Sequence, residues 1–412
     1  MVKKEVRDIE QKVLKYNIEE IKNKILCGHV LDELKKFPDE CIDCIITSPP
    51  YYGCREYIGA EAIWDGEEGC QHSWVKNSLD LKTGYCEHCG AWLGQLGLED
   101  FPQQYIEHIL QVCDECMRVL KKEGVFFLNL GDCFSTPTHK GGYDRINKEK
   151  NKTLQHRVEV RGKFSKTGIS WLKPKQRLLI PFRVAIGLQE RGYIVRDVIV
   201  WVHKLTMFPE RTSIGTTIPY PVKDRLVSSF EYIFQIVKSN KYYFNIDAIK
   251  INLKQSTFSG LKYPIVEIYE NNNPLKTSLK GVEKYRKEML ENNNLMRGLE
   301  KFGKKFKKGE NWQVELKKEI EKANPTNALM FKRENQYTVQ GEHYAKFPLS
   351  LAEFFILASC PEGGIVLDPF MGSGTVALVA KKLKRNYIGI EISKEYCKII
   401  EERLKNINDS LF

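Results

Sequence analysis

The sequence predicts an α/β protein with a doubly wound, largely parallel sheet. Two apolar runs carry this prediction, Ile42 to Ile46 and Ile365 to Leu367, and each leads into a loop rich in proline or glycine. Continuous apolar runs are typical of parallel strands, because helices cover both faces of such a sheet. At 412 residues the chain exceeds one usual core, so we expect a main domain and a smaller module.

The loop after the first run reads Thr47-Ser48-Pro49-Pro50-Tyr51-Tyr52-Gly53. Two successive prolines fix φ and remove two N–H donors, which predicts a stiff loop with outward carbonyls. Ser48 Oγ and the Pro49 carbonyl are candidate acceptors for the hydrogens of an amino group, and Tyr51 offers a flat face to a base turned out of its helix. An ordinary proline-rich turn is the alternative interpretation of this segment alone.

The second run continues as Asp368-Pro369-Phe370-Met371-Gly372-Ser373-Gly374-Thr375, followed by a predicted helix from Val376 to Leu383 and a strand from Tyr387 that ends at Glu391. This pattern predicts a β-α-β unit. Glu391 lies seventeen positions after Gly374, close to the spacing of roughly 20 at which a carboxylate binds ribose hydroxyls. The loop lacks the full GxGxxG form, so a ligand without a pyrophosphate is favoured.

Together the two motifs resemble those of the DNA amino-methyltransferases of the β group, in which the catalytic motif precedes the cofactor motif. The segment from His343 to Ile356 resembles the family's helix that closes over the cofactor, and the segments Tyr193 to Val202 and Tyr232 to Val237 resemble its later strands. Family members often carry an acidic residue after the first glycine of the opening strand. Here His29 occupies that position, and the sequence does not assign its role.

The resemblance implies an enzyme that transfers methyl groups from S-adenosylmethionine to DNA. We expect a catalytic loop formed by Ser48, Pro49, Pro50 and Tyr51. We expect the cofactor to bind at Asp368, Phe370, Gly372, Gly374, Thr375 and Glu391. A cytosine C5-methyltransferase would need a nucleophilic cysteine after a proline, and none of the twelve cysteines follows one.

The expected product is N4-methylcytosine in double-stranded DNA, because Ser-Pro-Pro-Tyr resembles the cytosine enzymes. The adenine enzymes more often begin this tetrapeptide with Asp or Asn, although serine can accept an amino hydrogen in either pocket. N6-methyladenine is therefore the main alternative. An RNA amino-methyltransferase and a non-catalytic, zinc-containing DNA-binding protein are further alternatives, and a cognate restriction endonuclease is an expected partner.

The composition agrees with a nucleic-acid enzyme. The formal net charge of +11 favours a polyanionic partner, although solvated lysine faces alone can produce it. No apolar run is long enough to span a bilayer, and the N-terminus lacks the apolar core of a signal peptide, so we expect no membrane association and a cytoplasmic location. The cysteines are scattered through a large chain, which argues for reduced thiols.

One group of cysteines and histidines has the spacing of a metal site. Cys70 and His72 precede Cys86 and Cys89 by a loop of thirteen residues, and a glycine follows the second pair. These four ligands suit a structural, tetrahedral zinc. A metal-free loop and a site in which His88 replaces one ligand are the alternatives.

The expected domain organisation follows from these motifs. Residues 1–135 form the catalytic half, with the zinc insertion at 65–95, and residues 178–249 continue the methyltransferase sheet. Residues 136–177 form a basic loop, in which twelve lysines and arginines between Lys140 and Arg177 stand against three acids. Residues 250–340, rich in Asn, Lys and aromatic residues, form the target-recognition region, and residues 341–412 form the cofactor-binding half.

Overall fold

The structure of the protein is a computed structural model, and it describes residues 15–57, 59–76, 84–135, 173, 175–209, 211–215, 223–252, 322–331 and 347–405. The chain divides into two compact units, Met1–Asn245 with Thr326–Phe412, and Ile246–Pro325. Within the described ranges, no helix combines the length and the hydropathy that a membrane span requires.

The described strands are β1 Lys24–Cys27, β2 Ile42–Thr47, β3 Glu61–Trp64, β4 Trp74–Lys76, β5 Gly84–Cys86, β6 Trp92–Gln95, β7 Leu120–Leu130, β8 Ile194–Val202, β9 Lys204–Met207, β10 Thr212–Gly215, β11 Phe230–Val237, β12 Ile251–Asn252, β13 Lys322–Ala323, β14 Ala328–Leu329, β15 Ile365–Asp368 and β16 Asn386–Glu391. The described α-helices are α1 Ile18–Ile21, α2 Val30–Leu34, α3 Pro102–Val119, α4 Ile180–Glu190, α5 Leu349–Ser359, α6 Thr375–Lys382 and α7 Lys394–Lys405.

Eight strands form the main sheet, in the order β1-β16-β15-β2-β7-β11-β8-β14. The first five strands in this order, β1, β16, β15, β2 and β7, pair in parallel. Strand β11 is antiparallel to both β7 and β8, and β14 is parallel to β8. The two motif-bearing strands β2 and β15 are therefore neighbours although more than 300 positions separate them. The largely parallel sheet expected from the sequence is confirmed.

Helices cover the main sheet on both faces. Successive side chains of a strand point to opposite faces, and on β7 Phe126 and Leu128 pack in one buried cluster while Val125 and Phe127 pack in another. The first cluster contains the buried residues of α2, α3 and α4, and the second contains those of α5, α6 and α7. This is the doubly wound arrangement.

A four-stranded antiparallel sheet, in the order β3-β6-β5-β4, forms a small module between β2 and α3. Two shorter pairs, β9 with β10 and β12 with β13, are also antiparallel. The pair β12 and β13 belongs to the unit Ile246–Pro325. Most of the basic loop at 136–177 and of the target-recognition region at 250–340 lies outside the described residues.

Helix α3 ends at Val119, and β7 begins at the next residue. Its last carbonyls are capped by the extended Leu120, whose N–H donates to the Cys116 carbonyl. Cys113 and Cys116 on this helix are fully buried, and a free cysteine in such a position packs as a small apolar residue.

Candidate active site

The two sequence motifs meet at the carboxyl edge of the main sheet. Strands β2 and β15 pair in parallel, with Val366 opposite Cys44, so that their carboxyl ends lie side by side. Just beyond this register Thr47 Oγ1 donates a hydrogen bond of 2.7 Å to Asp368 Oδ1. The proline-rich loop and the glycine loop therefore begin at adjoining positions, as expected where ligands bind in open α/β sheets.

Two glycines of the glycine loop adopt backbone conformations that would be strained in a residue with a side chain. Gly372 has a φ of +55° and Gly374 a φ of +82°, a region that glycine adopts without steric cost. A Cβ on Gly374 would lie 2.7 Å from Cγ2 of Ile400 on α7. The loop can therefore turn tightly into α6, which begins at Thr375.

Two buried carboxyl groups line this loop. Asp368 Oδ1 accepts hydrogen bonds from Thr47 and from the Phe370 N–H at 3.0 Å. Glu391 accepts from the Gly372 N–H at 2.8 Å and from the Ser393 N–H at 2.9 Å. Burial raises the pKa of Asp368 to about 7 and also raises the pKa of Glu391. A bound cation would favour the charged form of both groups.

The proline-rich loop is held by a network of polar side chains. Ser48 Oγ donates to the Tyr51 hydroxyl at 3.1 Å, and the Tyr51 hydroxyl donates to Glu231 Oε2 at 2.5 Å. Asn129 Nδ2 donates to the Tyr51 hydroxyl at 2.6 Å and to Glu231 Oε2 at 2.9 Å. His203 Nε2 lies 3.2 Å from Glu231 Oε1. Five side chains from four segments of the chain thus form one cluster.

The charges of this cluster follow from burial and hydrogen bonding. Burial acts to raise the pKa of Glu231, but the hydrogen bonds from His203, Tyr51 and Asn129 outweigh it and lower the pKa. Burial and the neighbouring Glu231 raise the pKa of Tyr51 well above its ordinary value. The site therefore holds a carboxylate next to a protonated phenol.

The remaining predicted residues of the two loops have defined contacts. The Pro50 carbonyl accepts a hydrogen bond of 2.9 Å from the Tyr105 hydroxyl, so this carbonyl fixes the loop to α3. Pro49 is buried and Phe370 is half-buried against the core. The structure thus places all four predicted catalytic residues and all six predicted cofactor residues at one edge of the sheet.

Sequence reasoning missed Asn129, His203 and Glu231. Asn129 interrupts the apolar strand β7, and Glu231 lies near the start of the largely apolar strand β11. A polar residue within a buried strand was the available signal, because burying such a group is costly unless it finds a partner. The partners themselves come from distant segments, so the sequence did not show them.

The four predicted zinc ligands also converge. The ligand atoms of Cys70, His72, Cys86 and Cys89 all lie within 4.8 Å of one another. The alternative ligand His88 instead directs Nδ1 to the Gln71 carbonyl at 2.9 Å. The unassigned His29 precedes α2 and packs edge-on against the ring of Trp64, with centroids 4.6 Å apart.

The doubly wound sheet and the two adjoining loops define a methyltransferase site. The chain belongs to the DNA methylase family: the family model for N6 and N4 methyltransferases matches residues 42–402. The protein is accordingly a DNA methyltransferase that uses S-adenosylmethionine.

Comparison with known proteins gives similar sequences over most of the chain. The Type II methyltransferase M.SmaI of Serratia marcescens is 26% identical over 92% of this chain and 90% of its own length. The orphan methyltransferase M.BamHII of Bacillus amyloliquefaciens is 31% identical over 72% of this chain and 80% of its own length. The solved structure of the cytosine-N4-specific PvuII DNA methyltransferase is 16% identical and superposes with a TM-score of 0.49, covering 94% of this chain and 87% of its own.

Proposed function

We propose that the protein methylates the exocyclic N4 of cytosine at a specific site in double-stranded DNA. The observation that carries the proposal is the hydrogen bond between Thr47 and Asp368, which joins the Ser48-Pro49-Pro50-Tyr51 loop to the glycine loop at neighbouring strand ends. A base held by the first loop and a cofactor held by the second would lie next to each other. Positioning of this kind can supply much of the rate enhancement of a group transfer.

The glycine loop fits the cofactor. S-adenosylmethionine carries a methyl group on a sulfonium cation and has no pyrophosphate, which suits a loop without the full GxGxxG form. Thr375 Oγ1 is buried and has no hydrogen-bond partner among the described residues, so it is free to contact a ligand. Each oxygen of Glu391 accepts one backbone hydrogen bond and keeps another lone pair for a ribose hydroxyl.

The polarity of the hydrogen bonds in the catalytic cluster makes Ser48 an acceptor toward the target. The hydroxyl hydrogen of Tyr51 is directed to Glu231, and that of Ser48 is directed to Tyr51. Ser48 Oγ accepts a long hydrogen bond of 3.4 Å from Asn129 Nδ2, and its remaining lone pair can accept a hydrogen from the cytosine amino group. The Pro49 carbonyl is a second candidate acceptor. Asn129 Oδ1 is a third, because it is buried and has no partner among the described residues.

The charge of Glu231 supports the same chemistry. S-adenosylmethionine would supply an activated methyl group, and transfer of that methyl to the amino nitrogen, with the bonding pair left on sulfur, would place positive charge on the nitrogen. A fixed carboxylate behind Ser48 and Tyr51 would stabilise that charge in a partly buried site. The nitrogen would then release its surplus proton to water, and no covalent intermediate with the protein is needed.

The choice of cytosine over adenine rests on Ser48, because Ser-Pro-Pro-Tyr resembles the cytosine enzymes. N6-methylation of adenine is the alternative. We further propose that residues 250–340 recognise the DNA sequence, that residues 136–177 contact phosphates, and that a cognate restriction endonuclease acts on the same site. Because DNA is the substrate, a cytoplasmic location is part of the proposal.

The product decides between the two bases. Plasmid DNA would be incubated with the protein and methyl-labelled S-adenosylmethionine, digested to nucleosides and analysed by mass spectrometry. Label in N4-methylcytosine is expected, and the Ser48→Ala protein is the matched control. Label confined to N6-methyladenine would overturn the cytosine assignment, and labelled RNA in a parallel reaction without labelled DNA would overturn the DNA assignment.

A further inference from the structure

The module of strands β3 to β6 contains a group of metal-ligating side chains that methyl transfer does not use. The Sγ atoms of Cys70 and Cys86 are 3.8 Å apart, and Sγ of Cys89 is 3.4 Å from Nδ1 of His72. A tetrahedral zinc with Zn–S bonds of about 2.3 Å would have its sulfur ligands about 3.8 Å apart. Two of the six distances between ligand atoms thus match a zinc tetrahedron, and all four ligand atoms lie within 4.8 Å of one another.

We propose that this module binds one zinc ion and that the metal-held sheet keeps the catalytic loop in its active shape. The site would be structural, because four protein ligands leave no position for water. The proposal rests on the methyltransferase activity of the protein but goes beyond it. It makes the module a positioning element for catalysis.

The turn from Cys86 to Gly90 has the features of a metal-binding turn. The His88 N–H points to Cys86 Sγ at 3.4 Å, and the Gly90 N–H donates to the Cys86 carbonyl at 2.9 Å. Gly90 has a φ of +77°, which a side chain would strain. A backbone N–H directed at a thiolate also helps to orient it as a ligand.

The module depends on this turn for its shape. Its strands have only three or four residues each, below the usual strand length of about five or six residues. Strand β5 carries Cys86 and pairs with β6, and the Cys86 N–H donates to the Ala91 carbonyl at 2.8 Å. Fixing the turn with a metal therefore fixes β6.

Strand β6 in turn holds the catalytic loop. The side chain of Gln95, 3% exposed, accepts from the Tyr57 N–H at 2.6 Å and donates to the Arg55 carbonyl at 2.9 Å. The Gly53 N–H donates to the Gly97 carbonyl at 2.7 Å. Gly97 approaches so closely that a Cβ there would lie 2.8 Å from the Tyr51 carbonyl oxygen. The chain around Tyr51 is thus bonded to the end of β6.

The first test measures the zinc content of the protein and the effect of zinc on the methyl-transfer rate. Elemental analysis of protein purified without chelators should give about one zinc per chain, as expected for four-ligand sites. Removing it with a chelator should slow single-turnover methyl transfer at least tenfold, while S-adenosylmethionine affinity measured by calorimetry changes less than twofold. Adding zinc back should restore the rate. Metal-free protein that transfers methyl groups at the normal rate would overturn the proposal.

The second test breaks the hydrogen bonds of Gln95 and leaves the proposed metal site unchanged. Gln95→Leu removes both bonds to Arg55 and Tyr57, in the segment that follows the catalytic loop, but leaves all four ligands. It should therefore retain about one zinc and lose at least tenfold in the single-turnover rate. Gln95→Glu keeps an acceptor for the Tyr57 N–H and should lose less. Cys86→Ser removes one proposed ligand and should lose both the zinc and the rate. Cys41 is a half-buried cysteine outside the cluster, so Cys41→Ser is the matched control and should keep both.

A normal rate in Gln95→Leu would show that the metal supports only the module itself, and the inferred link to the loop would be wrong. The assay counts all methyl groups transferred from labelled cofactor, whichever base receives them. An error in the cytosine assignment would therefore change the identity of the product but not this rate comparison.

Discussion

Ser48 and Tyr51 have separate roles in the catalytic cluster. In the proposed mechanism the Ser48 hydroxyl accepts from the target base, because its own hydrogen is donated to Tyr51. The Tyr51 ring is proposed to stack on that base, and its hydroxyl donates to Glu231. Removing either group should leave the glycine loop intact, because that loop is built from β15, β16 and α6.

We expect Ser48→Ala and Tyr51→Ala to retain S-adenosylmethionine affinity and to lose about 10²–10³-fold in single-turnover methyl transfer, as when an oriented polar group is removed from an active site. Tyr51→Phe keeps the ring and should lose less than Tyr51→Ala. Rapid-quench measurements with labelled cofactor would show these losses. Wild-type rates in both alanine variants would mean that the loop does not hold the target base.

Substitution of Glu391 is expected to change the affinity for the cofactor rather than the rate of transfer. Glu391→Ala removes the carboxylate proposed to bind two ribose hydroxyls, and hydrogen bonds to charged groups contribute about 1.5–3 kcal/mol each. We expect S-adenosylmethionine to bind at least tenfold more weakly, as measured by calorimetry. Circular dichroism is the control for folding, since Glu391 also binds the N–H groups of Gly372 and Ser393. Unchanged affinity in a folded variant would refute the assignment.

At the scale of elements, helix α3 contacts the small module through a buried histidine, among other residues. His108 on α3 is fully buried, with Nδ1 2.9 Å from Glu99 and Nε2 3.0 Å from Asp65. Its ring stacks on those of Trp64 and Trp92. Burial acts to lower the pKa of His108, but the hydrogen bonds and charges of the two carboxylates outweigh it and raise the pKa.

This raised pKa predicts a pH dependence of stability. A histidine with a raised folded pKa binds its proton more tightly in the folded state, so its contribution is complete below the ordinary value of 6.5 and declines as pH rises through the folded value. Relative to His108→Gln, the wild type should therefore lose stability as pH increases above 6.5. Urea unfolding of both proteins at several pH values would measure this difference, and a difference that does not change with pH would contradict the prediction.

At the scale of the whole molecule, affinity for DNA and choice of sequence are expected to come from different segments. Phosphate contacts supply affinity without sequence information, whereas contacts to base edges supply specificity. The basic segment 140–177 suits the first role, and residues 250–340 suit the second. Both assignments rest on the sequence, since these segments lie largely outside the described residues.

We expect replacement of lysines and arginines in 140–177 by glutamine to weaken DNA binding for all sequences and to flatten its dependence on salt. Exchange of residues 250–340 for those of a relative with another specificity should change which sequence is methylated. Filter binding at several salt concentrations measures the first effect, and sequencing of methylated sites measures the second. If the exchanged protein kept its original site, recognition would lie elsewhere in the chain.

The sequence by itself determined the fold class, the two loops and the four candidate metal ligands, because each depends on local patterns. Apolar runs of strand length, consecutive prolines and glycines at a tight turn constrain the backbone within a few residues of themselves. The positions of β2, β15, β16 and α6 were predicted to within one or two residues for this reason.

Only the tertiary structure decided which distant groups meet. The bond from Thr47 to Asp368 follows from the pairing of strands far apart in the chain, and no local pattern encodes that pairing. The cluster of Asn129, His203 and Glu231 around Tyr51 likewise depends on the order of β7, β11 and β8 in the sheet. The contacts of Gln95 with Arg55 and Tyr57 arise because the small module folds back on the segment that precedes it. Burial selects such partners, since a polar group inside a protein must find one to offset its loss of water.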